Sequence, residues 1–257
     1  MVKKRYIGST NHRVSVIGLG TVKLGRHQQV KYPQPFTIPD DKAVITLLSM
    51  ARTAGINLID TAPAYGSSEE RLGQLLPGQR HDWHIVSKVG EEFIDGKSQF
   101  NFTPEAIKAS VERSLLRLNT DYIDTVLVHS DGNDSLLIRQ GVLEVLYDLK
   151  QKGWVCLTGM STKTVEGGLL ALSHSDVIML PYHLEDTSHT PVIAKAEYLR
   201  KGIFIKKLLA SGHDCQPDRM QQVYQQGLSH PAVSSMIIGT INPLHLQQHI
   251  DLANSKY

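Results

Sequence analysis

Three ionisable residues each close a short apolar run in this sequence. Asp60 ends Ile56-Asn57-Leu58-Ile59, Lys88 ends His84-Ile85-Val86-Ser87, and His129 ends Thr125-Val126-Leu127-Val128. Tyr65 follows Asp60 in a loop that holds Pro63 and Gly66. Taken singly, each has an ordinary reading: a solvated lysine, a hydrogen-bonded structural histidine, an aspartate that caps a loop, a tyrosine of no consequence. Together they define one chemistry. A free phenol ionises near pH 10, too high for efficient proton exchange at neutral pH. An adjacent ammonium is expected to lower that value. A carboxylate paired with the lysine would fix its position, and an imidazole could orient a carbonyl. The set suits protonation of a carbonyl oxygen while a hydride reaches its carbon.

These residues need elements that bring them to one place. Eight short, apolar, β-branched runs read as strands buried on both faces: Val14–Leu19, Ile56–Asp60, His84–Lys88, Thr125–His129, Val155–Gly159, Val177–Leu180, Ile203–Lys206 and Ser235–Gly239. Amphipathic segments lie between them. Asp40 caps a helix with Val44, Leu47, Leu48 and Ala51 on one face, stopped by Gly55. Thr103-Pro104 opens another, with Ile107, Val111, Leu115 and Leu118 as its stripe. Val142, Leu146 and Leu149 line a third, ended by Gly153; further helices fit 68–76, 164–174, 191–201, 217–226 and 243–253.

The 257 residues divided by eight give about 32 per unit, the size of a strand–helix repeat. The expected fold is one closed (β/α)8 TIM barrel domain over 1–257. Residues 6–8 and 13–15 are expected to form an N-terminal β-hairpin at the barrel bottom. An open doubly wound sheet is the alternative, but Gly18-Leu19-Gly20-Thr21-Val22-Lys23-Leu24-Gly25 lacks the third glycine of a dinucleotide loop. In a barrel, groups at the C-terminal strand ends share the catalytic rim, so Asp60, Lys88 and His129 should be neighbours.

Composition narrows the function classes. Charged residues make up 20 % and the net charge is +2, without the basic stripe of a nucleic-acid binder. Two cysteines, Cys156 and Cys215, give no disulfide framework, and no run of about 18 apolar residues could cross a membrane. The expectation is a cytoplasmic protein with free thiols and no membrane or nucleic-acid partner. The 12 histidines form no paired ligand motif, so no metal is expected. His81 and His84 read as surface residues, and the group His183, Glu185, Asp186 and His189 is set aside. A metal held by Asp60 and His129 in a hydrolase is a weaker alternative.

The sequence resembles the aldo-keto reductases over nearly its whole length. The resemblance lies in Asn57-Leu58-Ile59-Asp60-Thr61-Ala62-Pro63-Ala64-Tyr65-Gly66 with Ser68-Glu69 and Leu72-Gly73. It extends to Val16-Ile17-Gly18-Leu19-Gly20-Thr21, Ser87-Lys88-Val89-Gly90 and Leu127-Val128-His129-Ser130. It implies a barrel reductase of small-molecule carbonyls, with NADP as cofactor and NAD possible. It also implies a catalytic tetrad of Asp60, Tyr65, Lys88 and His129, with Tyr65 the general acid. Cofactor contacts are implied at Gly20, Thr21, Asp60, Ser161, Thr162, Lys206, Leu208, Gly239, Thr240, Asn242 and His245. Val22, Lys23, Phe93 and Ser130 are candidates for lining the substrate pocket.

The sequence departs from the family pattern at Met179, where glutamine is common, and at Lys206, where an aromatic residue is common. His245 replaces the usual arginine and Gly239 the usual lysine of the 2′-phosphate clamp, so Lys206 or Lys207 would supply charge in its place. Tyr257 arrives soon after the last helix, which leaves little chain for a C-terminal loop and implies an open pocket. A nicotinamide-sensing or regulatory barrel is the second functional reading.

Overall fold

The computed structural model describes residues 1–76, 78–209 and 216–255. Cys215 and Tyr257, which enter the sequence reading, lie outside the described residues. Eight parallel strands close a barrel: β3 (Ile17–Gly20), β4 (Leu58–Asp60), β5 (His84–Val89), β8 (Ile123–His129), β9 (Val155–Ser161), β10 (Val177–Pro181), β11 (Gly202–Lys206) and β12 (Val233–Ile238). They neighbour one another in that order, and β12 pairs with β3 to complete the circle. All eight sequence runs thus become barrel strands.

One run divides. Arg13–Ser15 (β2) pairs antiparallel with Lys4–Tyr6 (β1), and the barrel strand begins only at Ile17. Ser15 makes the break: its hydroxyl donates to the carbonyl of Ile17, and Asn57 ties down its backbone N–H. The β1–β2 hairpin closes the barrel bottom. Its Ile7 and Val14 are fully buried among Leu58, Val86, Leu127, Leu157, Val177, Met179 and Phe204. The Arg5 guanidinium fastens it to the carbonyls of Leu228, His230 and Val233.

The helices follow the capping chemistry. Asp40 accepts from the Ala43 N–H at the start of α2 (Asp41–Thr53), after a short α1 (Val22–Gly25), and Gly55 at φ +90° ends the turn. α3 (Ser68–Leu75) follows β4, and Thr103 caps α4 (Pro104–Arg117). α5 (Asp134–Arg139) and α6 (Val142–Gln151) follow β8; α7 (Val165–Ala171) and α8 (Thr190–Tyr198) follow β9 and β10. α9 (Pro217–Ser229) and α10 (Pro243–Asn254) complete the ring. Their apolar faces cover the outside of the barrel in a continuous buried layer. Among the described residues no helix is long and apolar enough to cross a membrane.

Besides the one-turn α1, two elements are absent from the sequence reading. The first is a hairpin of β6 (Glu91–Ile94) and β7 (Lys97–Phe100) directly after β5. The second is α5.

His84 is also not a surface residue: it is 5 % exposed at the start of β5, with Nε2 2.8 Å from the Thr125 hydroxyl. Burial pushes it down to about 4, and does the same to His249, which lies against the Tyr224 hydroxyl. Both fold in the neutral form, while the unfolded chain takes up protons near pH 6.5. Their stabilisation is complete above that pH and is lost as pH falls from about 6.5 toward 4. The melting temperature is therefore expected to drop across that window, and His249→Gln should flatten the drop. A slope unchanged in the variant would contradict this assignment.

Candidate active site

Adjacent strands β4, β5 and β8 deliver Asp60, Lys88 and His129 to the same rim. Tyr65 reaches it from the 3-10 turn Pro63–Tyr65. Ala62 is extended, Pro63 fixes the first turn residue, and Gly66 at φ +62° reverses the chain. A Cβ on Gly66 would lie 2.2 Å from the Gly25 carbonyl oxygen, so the packing of this loop against α1 requires glycine.

Lys88 is 1 % exposed. Its ammonium donates to Asp60 Oδ1 at 2.6 Å and to the Thr61 carbonyl at 2.9 Å. Its Nζ lies 4.6 Å from the centre of the Tyr65 ring, in cation–π contact. The Tyr65 hydroxyl donates to Asp60 Oδ2 at 3.5 Å, and the His129 ring stands edge-on to Tyr65 at 6.2 Å between centroids. All four predicted residues share one site.

The electrostatics reverse one expectation. The Lys88 charge faces the ring of Tyr65 and is bonded to Asp60. Burial, the Asp60 carboxylate, Tyr32 and Glu91 together hold the phenol well above its ordinary value. Tyr65 is thus kept protonated, the form in which it can donate.

The structure adds groups that single-sequence reasoning did not find. Glu91 of β6 places Oε2 2.9 Å from Nδ1 of His129. Its Oε1 accepts from the Ser98 hydroxyl at 2.6 Å and lies 4.0 Å from Arg26. Arg26 donates to the carbonyl of Ala64, next to Tyr65, and stacks 3.7 Å over the Phe93 ring. Tyr32 stands at the mouth just beyond the end of β12. Its hydroxyl packs onto Gly239, and Lys23 sits 4.1 Å over its ring, with Phe36 edge-on beside it. Burial and the charge of Asp60 push Tyr32 up to about 12. Aromatic rings thus stand on this side of the mouth.

The remaining candidates divide by how far their polar atoms are already engaged. Ser161, at the end of β9, accepts from the Lys206 ammonium at 2.8 Å. Lys206 is pushed down to about 7 by burial, Lys207 and Lys88. Thr162 is buried, and its hydroxyl has no partner among the described residues. Asp134, the first residue of α5, holds this corner by accepting from the N–H groups of Lys163 and Thr164 and from the Thr164 hydroxyl. An unpartnered hydroxyl beside a serine and a lysine fits the polar end of a nicotinamide.

Other candidates are engaged internally. Thr21 donates to the Asp60 carbonyl and accepts from Ser68. Ser130 is 1 % exposed and accepts from the Gly132 N–H. The Leu208 side chain is in the core, which leaves its backbone for any ligand contact. Asn242 caps α10 by accepting from the Leu244 N–H, and Thr240 accepts from the Asn242 N–H. Gly20 lies at the end of β3, Val22 opens α1, and His245 is exposed in the first turn of α10. At the opposite end of the barrel, His12, His84 and Asp124 approach one another. There Asp124 Oδ2 already accepts from Arg80 and from the Ile85 N–H.

Comparison with known proteins gives a consistent result. The aldo/keto reductase family model matches residues 16–177. The crystal structure of PA4992 from Pseudomonas aeruginosa, provisionally named an aldo-keto reductase, is 49 % identical with a TM-score of 0.89; the match covers 97 % of this chain and 93 % of that one. The uncharacterized oxidoreductase YqkF of Bacillus subtilis is 26 % identical over 99 % of this chain and 92 % of its own length. The NADH-specific methylglyoxal reductase of Escherichia coli is 28 % identical over 72 % of this chain and 60 % of its own. With the closed parallel barrel and the match to its family model, the chain belongs to the aldo/keto reductases, oxidoreductases that use nicotinamide cofactors.

Proposed function

We propose that the protein reduces an aldehyde or ketone to the alcohol, with Tyr65 as the proton donor. The observation that carries this reading is a protonated phenol set against Asp60, Lys88 and His129 on one rim. When bound, the reduced nicotinamide supplies hydride to the carbonyl carbon. Ser161, Thr162 and Lys206 are suited to hold its carboxamide. Gly239, Thr240 and Asn242 stand where α10 begins, a favourable place for its phosphates.

The chain's own residues do the rest. Asp60 anchors the Lys88 ammonium, and that fixed charge stabilises the negative charge that develops on Tyr65 as its proton leaves. His129 orients the carbonyl oxygen. Arg26 holds the turn that carries Tyr65 through the Ala64 carbonyl. Tyr32, with Lys23 and Phe93, would shape the substrate cover.

NADP is the cofactor we favour. Lys31 and Lys163 both repel Lys207 and, with burial, push it down, a field that a further ribose phosphate would relieve. The name of the E. coli relative makes NADH the alternative. Fluorescence titration with NADPH and NADH should give tighter binding of NADPH, and equal or reversed affinities would overturn that preference. The loss of reduced-nicotinamide absorbance with a panel of simple aldehydes tests the reaction itself. Tight cofactor binding with no turnover would select the sensing barrel instead, a reading that Lys206 at the nicotinamide corner favours. We infer a cytoplasmic location from a sequence whose two cysteines, Cys156 and Cys215, offer no disulfide framework.

A further inference from the structure

Glu91 has no part in the tetrad chemistry, yet its carboxylate is set against the imidazole of His129. The hairpin that carries it leaves β5 two residues after Lys88. Gly90, at φ +97°, makes the turn, and a Cβ there would lie 2.2 Å from the Phe102 ring. The hairpin then packs on the turn of Tyr65. Glu91 is 13 % exposed in its side chain, and such a carboxylate is costly unless it is paired. Its partners are His129 on one oxygen, Ser98 and Arg26 on the other. Against the upward push of burial, these contacts pull its carboxyl down to about 2, so it is ionised across the working range of pH.

A carboxylate oxygen held 2.9 Å from a ring nitrogen favours a proton on that nitrogen, since two lone pairs at that distance repel; the contact is an ion pair, with Nδ1 not aligned into a hydrogen bond. The neutral ring then carries its single proton on Nδ1, and Nε2 has only a lone pair. A carbonyl oxygen needs a donor, so His129 can orient it only as the imidazolium. We propose that Glu91 is a positioning residue that fixes the Nδ1–H form of His129 and supports its imidazolium, so that carbonyl reduction depends on the protonation of His129. This deepens the reductase reading and rests on it.

The groups that face His129 act in both directions. Burial pushes it down, Glu91 from β6 pulls it up, and Lys88 from β5 and Lys206 from β11 push it down. The Tyr65 ring meets it from the 3-10 turn. Glu91 is therefore the main group that opposes loss of the proton.

The test is Glu91→Gln, read in two ways. Nitrogen-15 NMR of His129 should show Nδ1 protonated in the native protein. In the variant its titration should move down by about one to three pH units. The alkaline limb of kcat for aldehyde reduction should move down by the same amount, while the affinity for reduced cofactor stays within about twofold. Glu91→Asp, which keeps the charge but withdraws it by one methylene, should give an intermediate titration and is the variant to use if Glu91→Gln does not fold. A His129 titration unchanged in these variants, or a native ring protonated on Nε2 alone, overturns the inference. The NMR readout does not depend on turnover. A shifted titration in a protein that reduces no carbonyl would therefore discard the reductase reading and leave the role of Glu91 standing.

Discussion

Replacing Tyr65 with Phe is expected to lower turnover by about 10²–10⁴-fold and to leave cofactor affinity within about twofold. The change removes one oxygen and keeps the ring, so the cation–π contact with Lys88 and the packing of the 3-10 turn persist. What disappears is the only phenol hydroxyl that bonds to Asp60 among the described residues. Because burial and the neighbouring carboxylates hold that phenol above its ordinary value, it stays protonated throughout the neutral range. Its ionisation should therefore leave no break in the pH–rate profile near neutrality. Steady-state kinetics with a simple aldehyde and a fluorescence titration with the reduced cofactor check both halves. A variant within about threefold of the native rate would remove Tyr65 as the donor. Tyr32, a second phenol pushed up to about 12 and in electrostatic reach of Asp60, provides a control. Tyr32→Phe should change the KM for bulky substrates and spare kcat for small ones, because its place is in the cover over the mouth.

The barrel and the tetrad were legible for the same reason. Buried parallel strands are short apolar runs, and an ionisable residue at the end of such a run stands out against it. Asp60, Lys88 and His129 carry that signal, and the Pro63-to-Gly66 loop marks a tight turn after the first of them. Glu91 carries no such signal. It follows Gly90 in a polar stretch, and only the fold of the β6–β7 hairpin turns it back toward His129. A turn signal was present in Asp95 and Gly96, both at positive φ, but the flanking strands are too polar to show alternation. Asp134 was hidden for a related reason: its role is to hold the backbone of the loop after β9, and it opens a six-residue helix too short for its run Leu136-Leu137-Ile138 to show a helical period. The state of Tyr65 was misread because the sequence places a lysine beside it without saying which part of the ring the ammonium meets. Contact with the face of the ring, and an aspartate that takes the ammonium's hydrogen bond, leave burial as the larger effect.

The same Asp60–Lys88 pair sets the largest stability effect we expect. Both side chains are almost fully buried, at 5 % and 1 % exposure, and the ammonium has two acceptors, Asp60 Oδ1 and the Thr61 carbonyl. Lys88→Met preserves most of the aliphatic stem but strands a carboxylate in the rim of the barrel. Breaking a buried pair on one side typically costs about 3–5 kcal/mol, because the remaining charge is left without compensation. Urea unfolding of Lys88→Met should show a loss of that size. The double variant Asp60→Asn with Lys88→Met removes the charge from both sides and should recover most of the loss, since a buried pair replaced as a unit is often nearly neutral for stability. Both variants should be inactive, because the ammonium that stabilises the developing charge on Tyr65 is missing from each. Stability and turnover therefore separate: the double variant regains the fold without regaining the reaction. If the single variant proved as stable as the native protein, Asp60 would have to find a different partner or a proton in the folded state. If the double variant proved as unstable as the single one, the cost would lie in packing around the lysine stem and not in the stranded charge.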